Sequence, residues 1–533
     1  MAFVISILCG LLLSWPFRSY DGSAPAWFAL APVFWIVARA ENKRRAVAYA
    51  ACFALAWTLS SLTFIWHLTA PGTILLAMYM SMYFVIALLL IRRLAKLGVV
   101  NVVFGAAAVW AVMEVVRSTI PVLAFPWLLL GHTLLYNEWL RQGADLLGVY
   151  GLSFLIVMVN AALAFAIPAW LPSRFHAAFE TNIKSGWRAS SMTAIMVLGA
   201  LYYGFLRSVQ IAPRLQAGPP IGLIQGNIIQ KLDRTQNEMD AQLVGHLEMH
   251  RQLASHPEKP ILICWAETMV PGTINSGASG ELFKKTVAEH GIATIAGSNY
   301  LYPEEAMNEL TSNAAFLVDG KGNEVLHYLK QRCVPFGEYI PFARRFPLLK
   351  SLRSITRDQY IPGNEPSAIC NVPITMEAGA EQDRYRIALN ICVEDIHADL
   401  ARDSARAGAD TLINITNDGW FYDTFGPRGH LQAAAWRAIE VRRPLLRVTN
   451  TGRTVAVDPL GEIDLLMPEA TAATCVTHLK RIAPKAGVES RLVTLTMLLG
   501  DLGAGLVFAS ILAVSLLVSS KIGVPHATQL PHA

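Results

Sequence analysis

The stretch GTILLAMYMSMYFVIALLLI, residues 72–91, contains no charged residue and is followed at once by Arg92 and Arg93. A helix of about 20 apolar residues is long enough to cross the hydrocarbon core of a bilayer. The whole chain agrees, because 53% of its 533 residues are hydrophobic and only 16% are charged, whereas soluble domains carry about 25% charged residues. The chain is therefore predicted to be an integral membrane protein, and the disordered, collagen-like and coiled-coil classes are excluded.

The apolar surplus is unevenly distributed, which predicts three segments. Residues 1–209 consist of apolar runs with short polar breaks and predict a seven-helix membrane domain. Residues 210–488 have an ordinary soluble composition, and residues 489–533 hold one further apolar helix and a tail. Pro16 and Pro25 shorten the first two helices. The eight predicted spans lie near 2–17, 25–38, 46–66, 72–91, 98–116, 147–171, 189–209 and 491–520.

Lysine and arginine residues in the connecting segments predict the orientation, because short cytoplasmic loops are enriched in positive charge. The segments after the second, fourth and sixth spans carry Arg39, Lys43, Arg44, Arg45, Arg92, Arg93, Lys96, Arg174, Lys184 and Arg188. The intervening segments carry only Arg18, Arg117 and Arg141. Residues 210–488 are therefore expected outside the cytoplasm. A net charge of +5 on so long a chain does not imply a nucleic-acid partner, and the seven cysteines suggest no disulfide pairing.

Short strand-like runs alternate with amphipathic stretches in the soluble segment, which is typical of a layered α/β domain. Strands are predicted at 221–225, 261–265, 292–297, 313–318, 386–391, 411–415, 445–449 and 454–457. Helices are predicted at 236–255, 279–290, 396–407 and 428–441. Residues 340–385, rich in proline, glycine and charge, are predicted to be a long irregular loop and a candidate lid.

Three predicted strands run into chemically unusual residues, namely Glu267, Cys392 and Asn417. In open α/β sheets the carboxyl ends of strands line the ligand crevice. Lys330 and Glu338 lie between these strands in sequence. A cysteine acts as a nucleophile through its thiolate, so a carboxylate can take the thiol proton while an ammonium stabilises the developing oxyanion. Such a set can transfer an acyl group without a metal or an organic cofactor.

Each residue also has an ordinary structural interpretation. A cysteine at a strand end is more often a buried core residue, and single charged residues are more often solvated. Cys333 is a competing thiol near Lys330, whereas Cys264 and His430 are expected to be structural. Glu114 and Arg117 form either a local ion pair or an intramembrane functional site. The segment from Phe125 to Trp127 is expected to anchor the chain at the membrane interface.

The motifs taken together resemble those of bacterial apolipoprotein N-acyltransferases, membrane members of the nitrilase or carbon–nitrogen hydrolase superfamily. The membrane segment contributes Trp110-x3-Glu114-x2-Arg117, Phe125-Pro126-Trp127-x3-Gly131 and Gly148-x-Tyr150-Gly151-Leu152-Ser153-Phe154. The soluble segment contributes Gln225-Gly226-Asn227-Ile228, Trp265-Ala266-Glu267-Thr268, Lys330-x4-Pro335-Phe336-Gly337-Glu338 and Ile391-Cys392-x-Glu394. It continues through Asn414-x2-Asn417-Asp418-x-Trp420-Phe421, His430, Arg437-Ala438-Ile439-Glu440-x2-Arg443 and Asn450-Thr451-Gly452.

This resemblance implies an αββα sandwich on the periplasmic side of a bacterial inner membrane, carried on about eight helices. It implies Glu267 as general base, Lys330 as oxyanion stabiliser and Cys392 as nucleophile, with Glu338, Glu394, Asn417 and Trp420 as supporting residues. The implied reaction moves the sn-1 acyl chain of a phospholipid through a Cys392 thioester to the α-amine of a diacylglyceryl-cysteine on a lipoprotein. No cofactor or metal is implied, and a monomer is expected.

The sequence departs from the family pattern at three places. The tryptophan usual after the Gln225-Gly226-Asn227-Ile228 motif is missing, Val393 replaces an aromatic residue after the nucleophile, and Tyr422 replaces a glycine. Two other functions stay open at this stage. The same triad could serve a membrane-tethered amidase or nitrilase-like hydrolase, or the chain could be a divergent paralogue acting as a scaffold in a conjugation assembly. Eight membrane segments and an intact triad favour the acyltransferase.

Overall fold

The computed structural model describes residues 1–19, 22–166, 183–231, 233–302, 311–342, 345–346, 360–364, 369–373, 384–483 and 492–521. Thirteen α-helices lie within these residues. In chain order they are α1 Ala2–Ser14, α2 Ala31–Ala38, α3 Lys43–Ser61, α4 Ala70–Leu94, α5 Val99–Thr119, α6 Ala144–Ala161, α7 Ile183–Ile211, α8 Gln236–Ala254, α9 Ala278–His290, α10 Ala398–Arg406, α11 Gly426–Ala434, α12 Trp436–Val441 and α13 Leu495–Lys521.

Helices α1 to α7 and α13 occupy the eight places where spans were predicted. Within the described residues, five stretches are long and apolar enough to cross a membrane, namely Ala70–Leu97, Val99–Thr119, Leu140–Ala166, Ile183–Arg214 and Leu495–Val518. Helices α1 and α2 are shorter, since 3-10 turns containing Pro16 and Pro25 end the first and precede the second. The structure therefore supports a helical membrane region with five candidate spans, and the count of eight stays a prediction.

Glu114 and Arg117, for which an ion pair and a functional site were both left open, each bond the loop that follows α5. Arg117, which is fully buried, donates to the carbonyl oxygens of Phe125 at 2.7 Å and Trp127 at 2.6 Å. Glu114 accepts from the backbone N–H of Leu130 at 2.9 Å. Buried backbone groups without a partner are costly, so the two side chains satisfy the irregular segment that follows α5. Trp127 is itself 7% exposed and packs inside the protein.

Twelve described strands form two six-stranded sheets. Their bounds are β1 Leu215–Gln225, β2 Leu262–Trp265, β3 Ala293–Leu301, β4 Thr311–Val318, β5 Glu324–Leu329, β6 Ile369–Pro373, β7 Arg384–Ile391, β8 Thr411–Thr416, β9 Leu445–Thr449, β10 Thr454–Val457, β11 Ile463–Met467 and β12 Ala473–Ile482. The orders are β12-β1-β2-β3-β4-β5 and β11-β10-β9-β8-β7-β6. The central strands β1, β2 and β3 are mutually parallel, as are β7, β8 and β9.

The sheets pack face to face, with helices on both outer faces. Leu223, Cys264 and Ile295 of the first sheet share one apolar cluster with Ile413 and Val448 of the second. Helices α8 and α9 cover the outer face of the first sheet. Helices α10 to α12 cover the second sheet, and their apolar residues belong to the same cluster as those of the membrane helices. The domain is therefore an αββα sandwich whose second helical layer lies directly on the membrane helices.

All eight predicted strands and all four predicted helices of this domain are present. The helix predicted at 428–441 is divided at Ala435 into α11 and α12. Strands β5, β6, β11 and β12 were not predicted, since they lie at or near sheet edges and mix polar and apolar residues without a continuous apolar run. Strand β6 lies inside the predicted irregular loop 340–385, and most of that candidate lid lies outside the described residues.

Buried ion pairs fasten the sandwich to the membrane helices. Asp145 of α6 accepts hydrogen bonds from Arg442, just after α12, at 2.7 Å and from Arg207 of α7 at 2.8 Å. At a second place, Arg402 of α10 lies 2.6 Å from Asp501 of α13. Removing one partner of a buried pair leaves the other charge buried without a partner, which lowers the free energy of unfolding by about 3–5 kcal/mol. The orientation of the sandwich on the helices is therefore closely specified.

Two buried histidines of α8 predict a loss of stability in acid. Burial lowers the pKa of His246 and of His250 to about 4, below the value of about 6.5 in an unfolded chain. The unfolded state therefore binds more protons between these two values, so stability falls as the pH falls from about 6.5 to about 4. The expected loss is on the order of 1 kcal/mol per pH unit for each histidine.

The measurement is a series of thermal melts in detergent between pH 7.5 and 4.5. We expect His250→Leu to flatten the dependence of the melting temperature on pH, because this variant has no proton to bind at that position. His256→Gln, which alters an exposed histidine at the end of the same helix, should leave the slope unchanged. Equal slopes for the wild type and His250→Leu would contradict the assignment.

Candidate active site

Glu267 lies immediately after β2, where Gly297 of β3 permits a close backbone contact. A Cβ atom at position 297 would lie 2.6 Å from the Glu267 Cα and 2.5 Å from the Thr268 nitrogen, so a larger residue could not fit. The Glu267 side chain is 7% exposed. One of its oxygens accepts from the backbone N–H of Asn417 at 2.9 Å, which joins the ends of the two sheets. The carboxylate is thereby fixed between them.

Lys330 follows β5 and is the ammonium shared by two carboxylates. Its Nζ lies 3.3 Å from Glu267 Oε1 and 2.7 Å from Glu338 Oε1, and the side chain is 1% exposed. Burial opposes the charge on Lys330, but Glu267 and Glu338 outweigh it and raise the pKa of the ammonium well above its usual range. Lys330 therefore carries its charge throughout the physiological pH range.

Cys392 lies at the end of β7, as the first residue of a 3-10 turn that runs to Ile396. Its φ angle of +54° is in the left-handed region, which costs a residue with a side chain about 1–3 kcal/mol and is often found at functional sites. Burial raises the pKa of the thiol well above its usual range, Glu267 raises it further, and Lys330 acts in the opposite direction. The sulfur thus interacts electrostatically with both other members of the predicted triad.

The charges of this site indicate how a thiolate can form. The two carboxylates and the Lys330 ammonium together carry one net negative charge. If Cys392 lost its proton to solvent, the net charge of the site would rise to two negative charges. Passing the thiol proton to Glu267 keeps the net charge unchanged, which avoids adding charge to a buried site. The resting site therefore holds a thiol, and a thiolate at position 392 is best formed by proton transfer within the site.

The predicted supporting residues differ in what they contact. Glu338 bonds Lys330 directly and accepts from the backbone N–H of Val334 at 2.7 Å. Glu394 is fully buried and accepts from the backbone N–H groups of Ile391 at 2.7 Å and of Gln331 at 2.6 Å. It therefore joins the segment after Lys330 to the turn Cys392–Ile396.

Asn417 bonds through both its backbone and its side chain, whereas Trp420 bonds through its backbone. Asn417 donates its N–H to Glu267, as described above, and its side-chain oxygen accepts from Asn450 at 2.9 Å. The carbonyl oxygen of Trp420 accepts from His67 Nε2 at 2.8 Å, in the segment between α3 and α4. The Trp420 backbone therefore faces the membrane helices.

Asn313, at the start of the buried run of β4, was not singled out in the sequence. Its amide donates to Glu267 Oε1 at 2.7 Å and lies 3.5 Å from Glu338 Oε1, so one side chain touches both carboxylates. The sequence feature that could have marked Asn313 as a site residue is its position as a polar residue at the start of the apolar run Asn313–Val318. That signal was weak, because amides are common at strand ends. Cys333 packs against the Lys330 carbonyl, 3.8 Å away, and Cys264 is a core residue between the sheets, as predicted.

A cleft of about 740 Å³ opens beside the turn that contains Asn417 and Trp420. Tyr422 and Phe425 line it from the sandwich, and Thr63 and Phe64 line it from the segment after α3. Glu267, Lys330 and Cys392 do not line this cleft. The cleft is therefore a separate opening between the sandwich and the segment after α3. Within the described part of the chain, no three His, Cys, Asp or Glu side chains are grouped so as to hold a metal ion.

Both halves of the chain match known protein families. Residues 221–482 match the family model described as carbon-nitrogen hydrolase, the class that agrees with the αββα sandwich and its strand-end cysteine. Residues 9–162 match the model described as apolipoprotein N-acyltransferase N-terminal domain. A solved amidase from Nesterenkonia sp. aligns with a TM-score of 0.35 at 18% identity, covering 50% of this chain and 91% of the amidase.

Two relatives extend the likeness over both halves. An apolipoprotein N-acyltransferase of Geobacter metallireducens is 28% identical over 479 residues, which are 87% of each chain. A protein of Treponema denticola named apolipoprotein N-acyltransferase 2 is 30% identical over 389 residues, which are 70% of each chain. The chain belongs to the apolipoprotein N-acyltransferase family.

The opposed effects of Glu267 and Lys330 on the thiol predict opposite shifts in its reactivity. Alkylation by iodoacetamide requires the thiolate and therefore follows the Cys392 pKa. We expect Lys330→Gln to move the alkylation profile to higher pH and Glu267→Gln to move it to lower pH. Peptide mass mapping after timed alkylation measures Cys392 alone. Cys475 from the same digest is the internal control, because burial and Asp464 raise its pKa and neither variant changes them. Shifts of the same sign in both variants would contradict the charge balance described above.

Proposed function

We propose that this protein is an acyltransferase that moves the sn-1 acyl chain of a phospholipid to the α-amine of a diacylglyceryl-cysteine at the N-terminus of a lipoprotein. The observation that carries this proposal is the buried Lys330 ammonium bonded to Glu267 and Glu338, whose charges act on the Cys392 thiol, in a sandwich packed directly on membrane helices. Family membership supports the same substrates, since the named relatives are apolipoprotein N-acyltransferases.

In the first half-reaction, Glu267 takes the thiol proton as the Cys392 sulfur attacks the carbonyl carbon of the ester. A C–S bond forms, and the carbonyl oxygen becomes an oxyanion that the Lys330 ammonium stabilises. The bond from the carbonyl carbon to the glycerol oxygen then breaks, and the proton held by Glu267 passes to that oxygen. The products are a thioester on Cys392 and a lysophospholipid.

In the second half-reaction, the lipoprotein amine attacks the thioester carbonyl. Glu267 takes the proton that the nitrogen must lose, a C–N bond forms, and the C–S bond breaks. The proton returns from Glu267 to sulfur, which restores the thiol and releases an N-acylated lipoprotein. One carboxylate thus acts as base and acid in both halves, because each half begins and ends with the same net charge in the site.

The attachment to membrane helices suits two substrates that are themselves membrane lipids. Burial of an acyl chain contributes about 0.8 kcal/mol per CH₂, so a site far from the bilayer would lose most of the affinity for its substrates. The cleft between the sandwich and the segment after α3 is a suitable approach for them. We place the protein in the inner membrane as a monomer with about eight spans and the sandwich on the periplasmic side.

The proposal predicts a covalent intermediate on one particular cysteine. Purified protein in detergent, mixed with phospholipid carrying an isotopically labelled sn-1 chain, should gain the mass of one acyl group. Cys392→Ala should abolish this adduct, because the proposal assigns the thioester to the Cys392 sulfur. Cys333→Ala is the matched control, since this second thiol lies 3.8 Å from the Lys330 carbonyl oxygen, and it should retain the adduct.

Addition of a diacylated lipopeptide should then discharge the adduct, with the label appearing in an amide. Release of the label as free fatty acid at the same rate with and without lipopeptide would instead indicate a hydrolase. Absence of any adduct in the wild type across phospholipids of several head groups would overturn the proposal and favour the scaffold.

The proposed orientation predicts which single cysteines a membrane-impermeant maleimide can reach. Lys259→Cys lies on the exposed surface of the sandwich, and Lys43→Cys lies at the exposed start of α3. In cells with a permeabilised outer membrane, we expect the first to be labelled and the second to be labelled only after the inner membrane is disrupted. The unaltered protein measures the background from its own cysteines. The reverse pattern would place the sandwich in the cytoplasm.

A further inference from the structure

A second buried cluster of charged residues lies close behind the catalytic turns. It consists of Asp395, Asp418, His430 and Arg447, all of them at most 4% exposed. Arg447 of β9 lies 3.2 Å from Asp395 Oδ2 and 3.0 Å from Asp418 Oδ2. His430 of α11 places Nε2 2.9 Å from Asp395 Oδ1 and Nδ1 2.9 Å from Asp418 Oδ1. We call these four residues the ionic clamp.

The two aspartates of the ionic clamp belong to the two turns that present the reacting groups. Asp395 lies in the 3-10 turn that begins at Cys392, three residues after the nucleophile. Asp418 follows Asn417, whose N–H donates to Glu267 at 2.9 Å. The clamp therefore connects the backbone that carries the nucleophile to the backbone that holds the general base.

The charges of the clamp balance when His430 is an imidazolium ion. Two aspartates and one arginine leave one negative charge, and a proton on His430 cancels it. Ionised carboxylates only accept hydrogen bonds, so both ring nitrogens donate, one to each aspartate. Arg447 Nη2 also lies 2.7 Å from His430 Nδ1. Because Nδ1 donates to Asp418, this is a contact between two donors, and the guanidinium bonds go to the carboxylates.

The surroundings keep His430 charged. Burial opposes the charge and Arg447 also lowers the pKa, but Asp395 and Asp418 outweigh them and raise the pKa of His430 to about 9. On the membrane side, the uncharged Trp127 ring lies 6.0 Å from the His430 ring between centroids. The carbonyl of Trp127 is held by Arg117, as described above, so the clamp also touches the membrane loop.

We propose that His430 and Arg447 are positioning residues, which hold the Cys392 turn and the Asn417 turn at the separation that proton transfer between Cys392 and Glu267 requires. This proposal rests on the proposed function for the reaction it serves. Misplacement of reacting groups by about 1 Å can cost about a hundredfold in rate. His430→Gln should therefore slow both half-reactions by on the order of a hundredfold while the KM for phospholipid stays within about twofold.

A charge-compensated double variant distinguishes positioning from general destabilisation. Asp395→Asn combined with His430→Gln removes one charge of each sign, so the clamp is again neutral around Arg447 and Asp418. We expect the double variant to recover about tenfold of the rate lost in His430→Gln. Asp501→Asn is the matched control, because it breaks a different buried ion pair, with Arg402. It should lower the melting temperature without changing the rate per folded molecule.

Hydrogen exchange tests the clamp independently of catalysis. In His430→Gln, peptides covering 391–396 and 415–421 should exchange faster together, whereas Asp501→Asn should leave both unchanged. A normal rate per folded molecule in His430→Gln, or no recovery in the double variant, would overturn the catalytic part. If the wild type forms no thioester, the proposed function fails. The exchange data still decide whether the ionic clamp holds the two turns. Unchanged exchange in both peptides of His430→Gln would show that it does not.

Discussion

The ammonium of Lys330 is the interaction on which the site depends. It is nearly excluded from solvent and is the cation that neutralises part of the charge of Glu267 and Glu338. Without it, two buried carboxylates would lie near a half-buried thiol with no compensating charge, an arrangement that a protein interior disfavours. The surrounding structure serves to hold this pair of contacts, with Asn313 bonded to both carboxylates and Glu394 binding the backbone after Lys330.

The second constraint is the direct contact between the sandwich and the membrane helices. The outer helical layer α10 to α12 shares its apolar cluster with the membrane helices, and Asp145 and Asp501 add buried ion pairs across the junction. These bonds hold the outer helical layer of the sandwich on the membrane helices. A catalytic domain on a flexible linker would have to find its lipid substrates by diffusion, whereas this one is held at a fixed position beside them.

The departures from the family pattern lie around the site. Tyr422 has a φ angle of −53°, so the backbone there does not require the glycine that many family members carry. Its ring is exposed and lines the cleft, where it reduces the space open to a ligand. Val393 is half-buried and packs against the apolar cluster of the membrane helices. Both changes therefore alter surfaces near the substrates and leave the contacts among Glu267, Lys330 and Glu338 intact.

Local patterns in the chain were enough to predict the class of the protein. Uncharged apolar runs located the membrane helices, apolar runs of five or six residues located the central strands, and Glu267, Lys330 and Cys392 stood out through their motifs. These features could be predicted because each depends on neighbours in the chain. The folded structure alone revealed the edge strands, the role of Glu114 and Arg117 in holding a loop, the contacts of Asn313 and the ionic clamp. Those features join side chains that are distant in sequence, as Asp395 and Arg447 are, and such contacts arise only when the sheets and helices pack together.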